Sequence, residues 1–562
     1  MEKRVLAAIV LSVVVLFVFR YFEERRLAEL AKRQPRVTKQ ATTIPEPAPA
    51  PLPKEPPPPP QLPEAPAPVP SDTKAASQVL VIDGPMYRAV LDNRGAVLTS
   101  WRLKDYKSGR GEVFEMIAAA HDAENRPFPG ALVLDDPALA AAVNGEHYST
   151  EVSGDDGSAG TLAPPVTVVM RLRRGDLAVE KRFHFVRENY LVDFSASFDW
   201  AGRPLPGRML LGQDIGPEHE HLLNPSFSLT SISNLGGKVK REGPPKDEKE
   251  IRRIEGEVRW VGLDMHYFTL IAIPRRPLTA FEIQKRPVKT AGLDGKEVNR
   301  DLVRLTIPST GSGLYQIYLG PKKQSNLEAV QGAGLSAAID YGMFSFLVVP
   351  LLYSLRWIQQ YVHNYGLAII ILTLLLTLLL FPFRLKQVFS MKKMQVVQPK
   401  IKEIQEKYRR YKKTDPRRAE MNQEIMAVYK AHNVNPLGGC LPLLLQMPLL
   451  FAFYQLLAAS IELRQAPFVG WIHDLSLKDP YYVLPIVMGI TMFVSQKMTP
   501  MAPGADPTQA KMMMIMPGVF TIMFLNVSSG LNLYFLCSNI FQIGFQKIVE
   551  RWVGDGSPRA KS

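Results

Sequence analysis

Two hydrophobic periods divide this chain. Between positions 166 and 198 apolar and polar residues alternate. Val166, Val168, Met170 and Leu172 form one row, Leu177, Val179, Lys181, Phe183 and Phe185 a second, and Tyr190, Val192, Phe194, Ala196 and Phe198 a third. Successive strand residues point to opposite faces, so a period of two predicts three half-buried strands, with Arg174-Gly175-Asp176 and Arg187-Glu188-Asn189 as their turns. Further strands are expected at 87–91, 97–101, 268–273, 302–307 and 314–319. Many strands and no long helical period across 78–321 predict an antiparallel β-sandwich.

Beyond position 340 the period becomes helical. Leu347, Leu351, Leu355 and Ile358 share one helical face, with Arg356, Gln359 and Gln360 turned away, so 340–363 reads as an amphipathic helix lying on a membrane surface. The run 366–383 is 18 residues without a charge, long enough to cross a hydrocarbon core. Apolar runs follow at 441–459, 481–494, 512–527 and 531–549, the last two joined by Ser528-Ser529-Gly530 in a tight hairpin. Near the start, Lys3 and Arg4 precede a run from Val5 to Phe19 broken only by Ser12. No small-x-small cleavage site follows, so 1–22 is expected to be an uncleaved signal anchor. The chain therefore reads as a multi-domain membrane protein with an α-helical six-span membrane domain.

Charge orients these spans. From 384 to 435 there are 14 Lys/Arg against 5 Asp/Glu, an excess that marks the cytoplasmic side of a membrane. With 364–383 as the second span, both termini lie inside and the β-domain outside. The basic segment itself shows a helical hairpin. Met391, Met394, Gln398, Ile401, Ile404, Tyr408 and Tyr411 recur at three- and four-residue steps, and Met421, Ile425, Val428 and His432 continue the pattern after Asp415-Pro416 opens a second helix. Pro399 is expected to kink the first helix. Between anchor and β-domain, 23–77 is a linker with 15 prolines in 35–70, which excludes helix and sheet and predicts an extended spacer. The formal net charge of +14 over 562 residues fits either an anionic lipid surface or RNA. The two cysteines, Cys440 and Cys537, provide no disulfide scaffold and no metal spacing.

Candidate chemistry is sparse. The spans lack the carboxylates of proton relays and ion-coupled transport. No glycine-rich phosphate loop or nucleophile–base pair occurs, and His184 and His266 have no catalytic partner at useful spacing. What remains is uncharged and polar. Thr373 and Thr377 lie one turn apart in 364–383, Gln446 lies two turns into the next run, and Asn532, Asn539, Gln542 and Gln546 share a face of the last helix. Such residues serve either as interhelical glue or as the lining of a wet cavity within the membrane.

Particular stretches resemble one family. NPLGGCLPLLLQMPLLFAFYQLL (435–457), ELRQAPFVGWIHDLSLKDPYYVLPI (462–486), QKMTP (496–500) and PKIKEIQEKY (399–408) are similar to the Oxa/YidC/Alb insertases, and WVGLDMHYFTLIAIP (260–274) and YLGPK (318–322) resemble the end of that family's large periplasmic domain. The resemblance implies a multi-pass bacterial inner-membrane protein with a five-helix insertase core from Gly366 onward. It also implies a hydrophilic groove open to cytoplasm and lipid, lined here by Thr373, Thr377, Gln446, Asn532, Tyr534, Asn539 and Gln542. Cytoplasmic-hairpin cations (Lys392, Lys393, Lys400, Lys402, Arg409, Arg410, Lys412 and Lys413) are implied to meet clients and, transiently, the ribosome. Nascent membrane proteins, Sec translocon components and anionic lipids are the implied partners. Neither cofactor, small-molecule substrate nor enzyme activity is expected. One departure stands out: the family usually carries arginine five residues before the proline matching Pro382, and here that place is Thr377. Phe535 likewise replaces a position associated with tyrosine. Two rival readings are a small-molecule transporter, which needs inverted repeats or intramembrane charges, and an anchor displaying the β-domain on a stalk.

Overall fold

The computed structural model describes residues 75–117, 128–156, 161–217, 229–291, 297–411, 415–432, 441–498 and 507–553. The predicted signal anchor 1–22, the linker up to position 74, Lys412, Lys413 and the tail beyond 553 lie outside them. Contacts divide the chain into two units, with the boundary in sequence between Tyr341 and Gly342.

The alternating rows become strands Leu162–Arg174, Leu177–Phe185 and Leu191–Trp200, paired antiparallel in chain order. Their apolar residues point inward, as a period of two requires. Ser312–Pro321 pairs on the outer side of Leu191–Trp200, and Phe268–Pro274 follows it. Among the described residues 18 strands belong to one hydrogen-bonded network, antiparallel apart from one parallel bridge between Ile82 and Leu162. This is a single curled sheet, not the two separate layers of the expected sandwich. The curl is made by one long strand, Ile251–Asp264. Its first half pairs with Leu278–Ala291, and its second half lies between Thr230–Leu235 and Phe268–Pro274. The switch falls at a register shift between Glu255 and Val258, where Gly256 takes φ 150°. A bulge bends its strand and lets it serve two sheet directions. Sequence pattern missed this strand because its first half is charged and exposed, with Arg253, Glu255 and Glu257 in solvent.

A short helix, α1 (Pro137–Gly145), starts at Asp136, whose carboxylate accepts the amides of Ala138 and Leu139. The unit also runs past Pro321. Helix α2 (Gln324–Glu328) and the 3-10 turn Leu335–Ala338 fold back on it, burying Leu327, Leu335 and Ala338 completely. Asp264 holds the closure, 3.0 Å from Lys322 Nζ and 2.9 Å from Arg241 Nε, and Arg241 also lies 3.6 Å from Asp340.

The second unit is helical: α3 (Ser345–Val362), α4 (Tyr365–Lys407), α5 (Arg417–Ala431), α6 (Leu441–Ala459), α7 (Val483–Met498), α8 (Pro507–Phe524) and α9 (Ser529–Val553). Helix α4 is one element of 43 residues with Pro382 and Pro399 inside it, where the sequence predicted a span and a separate hairpin arm. At 1.5 Å per residue it extends about 65 Å, roughly twice a hydrocarbon core. By length and composition Tyr365–Phe383 is the one stretch among the described residues long and apolar enough to cross a bilayer. Met447–Ala459, Val483–Met498 and Met514–Phe524 are shorter apolar helices. Helix α3 packs on α4 and buries Val348, Leu351, Leu352, Leu355 and Ile358, so Leu351, Leu355 and Ile358 of the face expected to rest on a membrane are covered by protein. Its other side exposes Phe346, Tyr353, Trp357 and Tyr361.

Of the charged residues buried in the first unit, Lys181 lies deepest, and without an ion pair among the described residues. Lys181 is fully buried, and its ammonium donates to Gly95 O at 2.6 Å and lies 5.5 Å from the Tyr148 ring. Loss of water pushes its pKa down to about 7. Between that value and the ordinary lysine pKa the unfolded chain binds more protons than the folded one, so this group makes stability rise with pH across that window. Lys181→Met should remove that rise. In chemical denaturation of the full-length protein, the parent-minus-variant stability should grow from pH 7 to pH 10, by an amount on the order of a few kcal/mol. A difference that does not change with pH would contradict this account.

Candidate functional site

The helical unit has two unlike ends. At one end the loop between α6 and α7 is sewn to the starts of three helices. Asn364 caps α4, accepting from Leu367 N at 3.0 Å, while its own amide donates to Phe468 O at 3.1 Å. Gly366 lies so near Phe468 that a Cβ there would fall 2.1 Å from the ring. Backbone amides of Ser529 and Gly530, where α9 begins, donate to Leu477 O at 2.7 Å and Leu475 O at 2.9 Å. Asp479, wholly buried, accepts from Trp471 Nε1 at 2.9 Å, Tyr481 N at 3.0 Å and Leu484 N at 2.7 Å, which caps α7. Leu367, Leu484, Ser529 and Gly530, amides left over at those helix starts, find acceptors in this way. Sequence reasoning did not single out Asn364, Gly366 or Asp479. An Asn before an apolar run and an Asp two residues ahead of the Tyr-Tyr pair were the available signals.

The opposite end carries the charge. Beyond the apolar stretch, α4 pairs antiparallel with α5 through Met394, Val397, Ile401, Tyr429, Ile425 and Val428. Tyr408 and Met421 are buried farther along. Glu424 ties the two helices, accepting from Lys407 Nζ and from the Tyr408 hydroxyl, each at 2.8 Å. The Lys407 bond holds the Glu424 carboxyl below its usual range. Lys400, Lys402, Arg409 and Arg410 point into solvent. Only the backbone of Lys392 and Lys393 is described, and it continues α4. The apolar row is nearly the predicted one, with Val397 and Tyr429 added to the contact.

The uncharged polar residues divide by environment. Thr373 and Thr377 are 2% and 4% exposed, on the side of α4 opposite Leu375, Leu378 and Leu379, which face outward. Each hydroxyl donates to its own helix, Thr373 to Ile369 O at 2.6 Å and Thr377 to Thr373 O at 2.7 Å. Asn532 is fully buried. Its amide donates to Phe524 O and Val527 O, both at 3.2 Å, which closes the α8–α9 hairpin. Tyr534 stacks on Phe453 of α6 with centroids 4.2 Å apart, and Phe535 meets Phe524 edge-on. Farther along α9, Asn539 and Gln542 are half-buried, and Gln546 donates to Met498 O of α7 at 2.7 Å. The backbone of Gln446 continues α6; its side chain lies outside the described residues. Polar groups inside and apolar groups outside is the arrangement expected of a unit surrounded by lipid.

The two histidines belong to the other unit. His184 Nδ1 lies 2.8 Å from Thr167 Oγ1, and the His266 ring stands against Tyr267. Among the described residues no group of His, Cys, Asp and Glu could hold a metal ion.

Comparison with known proteins agrees with this division. Residues 79–354 match the family model of the YidC periplasmic domain, and 357–555 match that of the 60Kd inner membrane protein. "Membrane protein insertase YidC" of Syntrophus aciditrophicus (strain SB) is 36% identical over 568 residues, covering 98% of this chain and 100% of its own. The chain belongs to the YidC family. Another YidC relative, from Geotalea daltonii, is 35% identical over 569 residues, covering 98% of this chain and 99% of its own. A solved structure described as an active YidC insertase with the first transmembrane domain resolved aligns at 16% identity and a TM-score of 0.37, over 85% of this chain and 94% of that one.

The Gly366–Phe468 contact makes a direct prediction. Gly366→Val places branched carbon where the Phe468 ring now lies, and overpacking of this kind costs about 1–3 kcal/mol. Thermal unfolding in detergent should occur below the parent's midpoint. Restoring the midpoint with Phe468→Ala in the same chain would confirm that the loss comes from this contact.

Proposed function

We infer that this chain is a membrane protein insertase of the bacterial inner membrane, with its β unit in the periplasm. Family membership along nearly the whole chain supports that activity. The observation that carries the mechanism is the asymmetry between the two ends of the helical unit. In this reading six spans cross the membrane, with both termini and the α4–α5 hairpin in the cytoplasm. The end sewn by Asn364, Asp479, Ser529 and Gly530 is the periplasmic one. Exposed aromatics on that side, Trp357 and Tyr361 of α3 with Trp471 and Tyr481 of the loop, suit the membrane–water boundary.

A client then meets a path that is closed at the periplasmic end and open from the cytoplasm. Its hydrophilic part lies along Thr373, Thr377, Gln446, Asn532, Tyr534, Asn539 and Gln542, and its apolar segment moves sideways into lipid. Of these residues Asn539 and Gln542 are the half-buried amides best placed to receive it, while the bonded threonines and Asn532 hold the walls. A charge at the bilayer centre costs at least about 2.5–3.5 kcal/mol, less where polar groups and water reach partway across. Burial of the client's apolar segment drives the step, so no nucleotide or cofactor is required. Lys392, Lys393, Lys400, Lys402, Arg409, Arg410, Lys412 and Lys413 present the cationic surface for client capture, with the ribosome, Sec translocon components and anionic lipid as further partners. Thr377 takes the place of a fixed cation in this groove, which leaves clients with acidic tails less well served.

Insertion of a short single-span client into liposomes holding only the purified protein, scored by protease protection, tests this reading. The parent should protect well above empty liposomes. Deleting 392–432 should lower protection severalfold, and Thr377→Arg should raise it selectively for clients with acidic tails. A folded parent giving no protection would instead favour a translocon-dependent chaperone or scaffold. Separately, Asn539→Leu with Gln542→Leu should lower protection more than Asn532→Leu lowers it per unit of folded protein.

A further inference from the structure

Strand pairing in the periplasmic unit gathers guanidinium groups on one sheet face. In the hairpin of Leu278–Ala291 and Glu297–Thr310, Glu282 lies opposite Thr306, Gln284 opposite Arg304, Arg286 opposite Leu302 and Val288 opposite Arg300. These pairs are two residues apart along each strand, so all share a face. Pro206–Gly212 adds Arg208 to that face, opposite Pro308. The carboxylates present are already in use. Arg208 binds Asp135 at 2.5 Å and reaches Glu282 at 3.9 Å, and Arg300 binds Asp214 at 3.4 Å.

Arg286 and Arg304 are left over: among the described residues neither guanidinium has an ion-pair partner. Arg304 Nε is buried without an acceptor, although Arg304 lies within the field of both Arg286 and Arg208. A buried, unanswered N–H beside two like charges is destabilising unless an anion completes it. Guanidinium presents paired donors that match two oxygens of an oxyanion side-on. A carboxylate would neutralise one of the two unpaired cations, whereas a phosphate carries about 1.5–2 negative charges near neutral pH and balances both.

We propose that Arg208, Arg286 and Arg304 form a binding site for a phosphate oxyanion on the periplasmic unit. Free phosphate balances both cations, while the phosphodiester headgroup of an anionic lipid presents the same paired oxygens with a single charge. The test uses the full-length protein in lipid-free detergent, with inorganic phosphate followed by equilibrium dialysis and thermal unfolding. Phosphate should bind saturably and raise the parent's midpoint, while chloride at equal ionic strength should not. Arg304→Gln and Arg286→Gln should each weaken binding about tenfold, the loss of one charge-assisted contact. Without phosphate, Arg304→Gln should unfold no earlier than the parent, because it also removes like-charge repulsion. Should that variant fail to fold, Arg304→Lys keeps the charge and loses the paired donors, and should bind more weakly. In phosphatidylglycerol vesicles, loss of phosphate uptake relative to phosphatidylcholine vesicles would identify the headgroup as occupant, and unchanged uptake would identify free phosphate. Equal effects of phosphate and chloride, or equal binding by the parent and either Arg304 variant, would overturn the proposal.

Discussion

Two backbone hydrogen bonds, from Ser529 to Leu477 and from Gly530 to Leu475, fix the geometry on which the helical unit depends. A helix start leaves amides unpaired, and in a bilayer there is little water to take them up. Here one loop answers the starts of α4, α7 and α9 together. Because that loop supplies the acceptors for the first amides of α9 and for the Asn364 side chain, α9 cannot leave it without exposing amides, at several kcal/mol each in a medium that offers no water. At the other end of α7 the described tie is a side-chain one, from Gln546 of α9 to Met498 O.

The polar residues of the core share in the same economy. Thr373 and Thr377 return their hydroxyl protons to their own helix, and Asn532 spends its amide on the α8–α9 turn. The two hydroxyls and the Asn532 amide nitrogen are bonded within the protein, while Asn532 Oδ1 is buried without a partner among the described residues. Asn539 and Gln542 differ in being half-buried on the same helix. The gradient along α9, from closed hairpin to half-exposed amide, is set by where backbone acceptors are within reach.

Much of this was legible in the sequence, for reasons particular to each element. The rows around Val168, Phe183 and Phe194 announced strands because half-burial imposes a period of two. The contact between Met394, Ile401 and Ile425 showed because a solvent-exposed helix pair needs an apolar stripe. Ile251–Asp264 did not show, since a strand that changes partners halfway has no single buried face to mark it. Continuity of α4 through Pro382 and Pro399 was hidden by the usual meaning of proline, which breaks a helix unless neighbouring structure carries it past the missing bond. The sealing residues were hidden for a further reason: an Asn or Asp acts as a cap only through the loop that folds onto it. The family's motifs marked that loop, while its hydrogen bonds required the fold.

The length of α4 has a mechanical meaning. Its apolar stretch and its charged arm are one rod, so the arm that meets solvent and the wall that bears Thr373 and Thr377 turn together. A torque applied near Lys400 is delivered to the threonine wall as rotation, softened only where Pro382 and Pro399 interrupt the ladder. Its far end is pinned by Asn364 and Phe468, so the rod behaves as a shaft seated in one bearing. In the proposed reading, a client pressing on the charged arm would thereby turn the wall that bears Thr373 and Thr377.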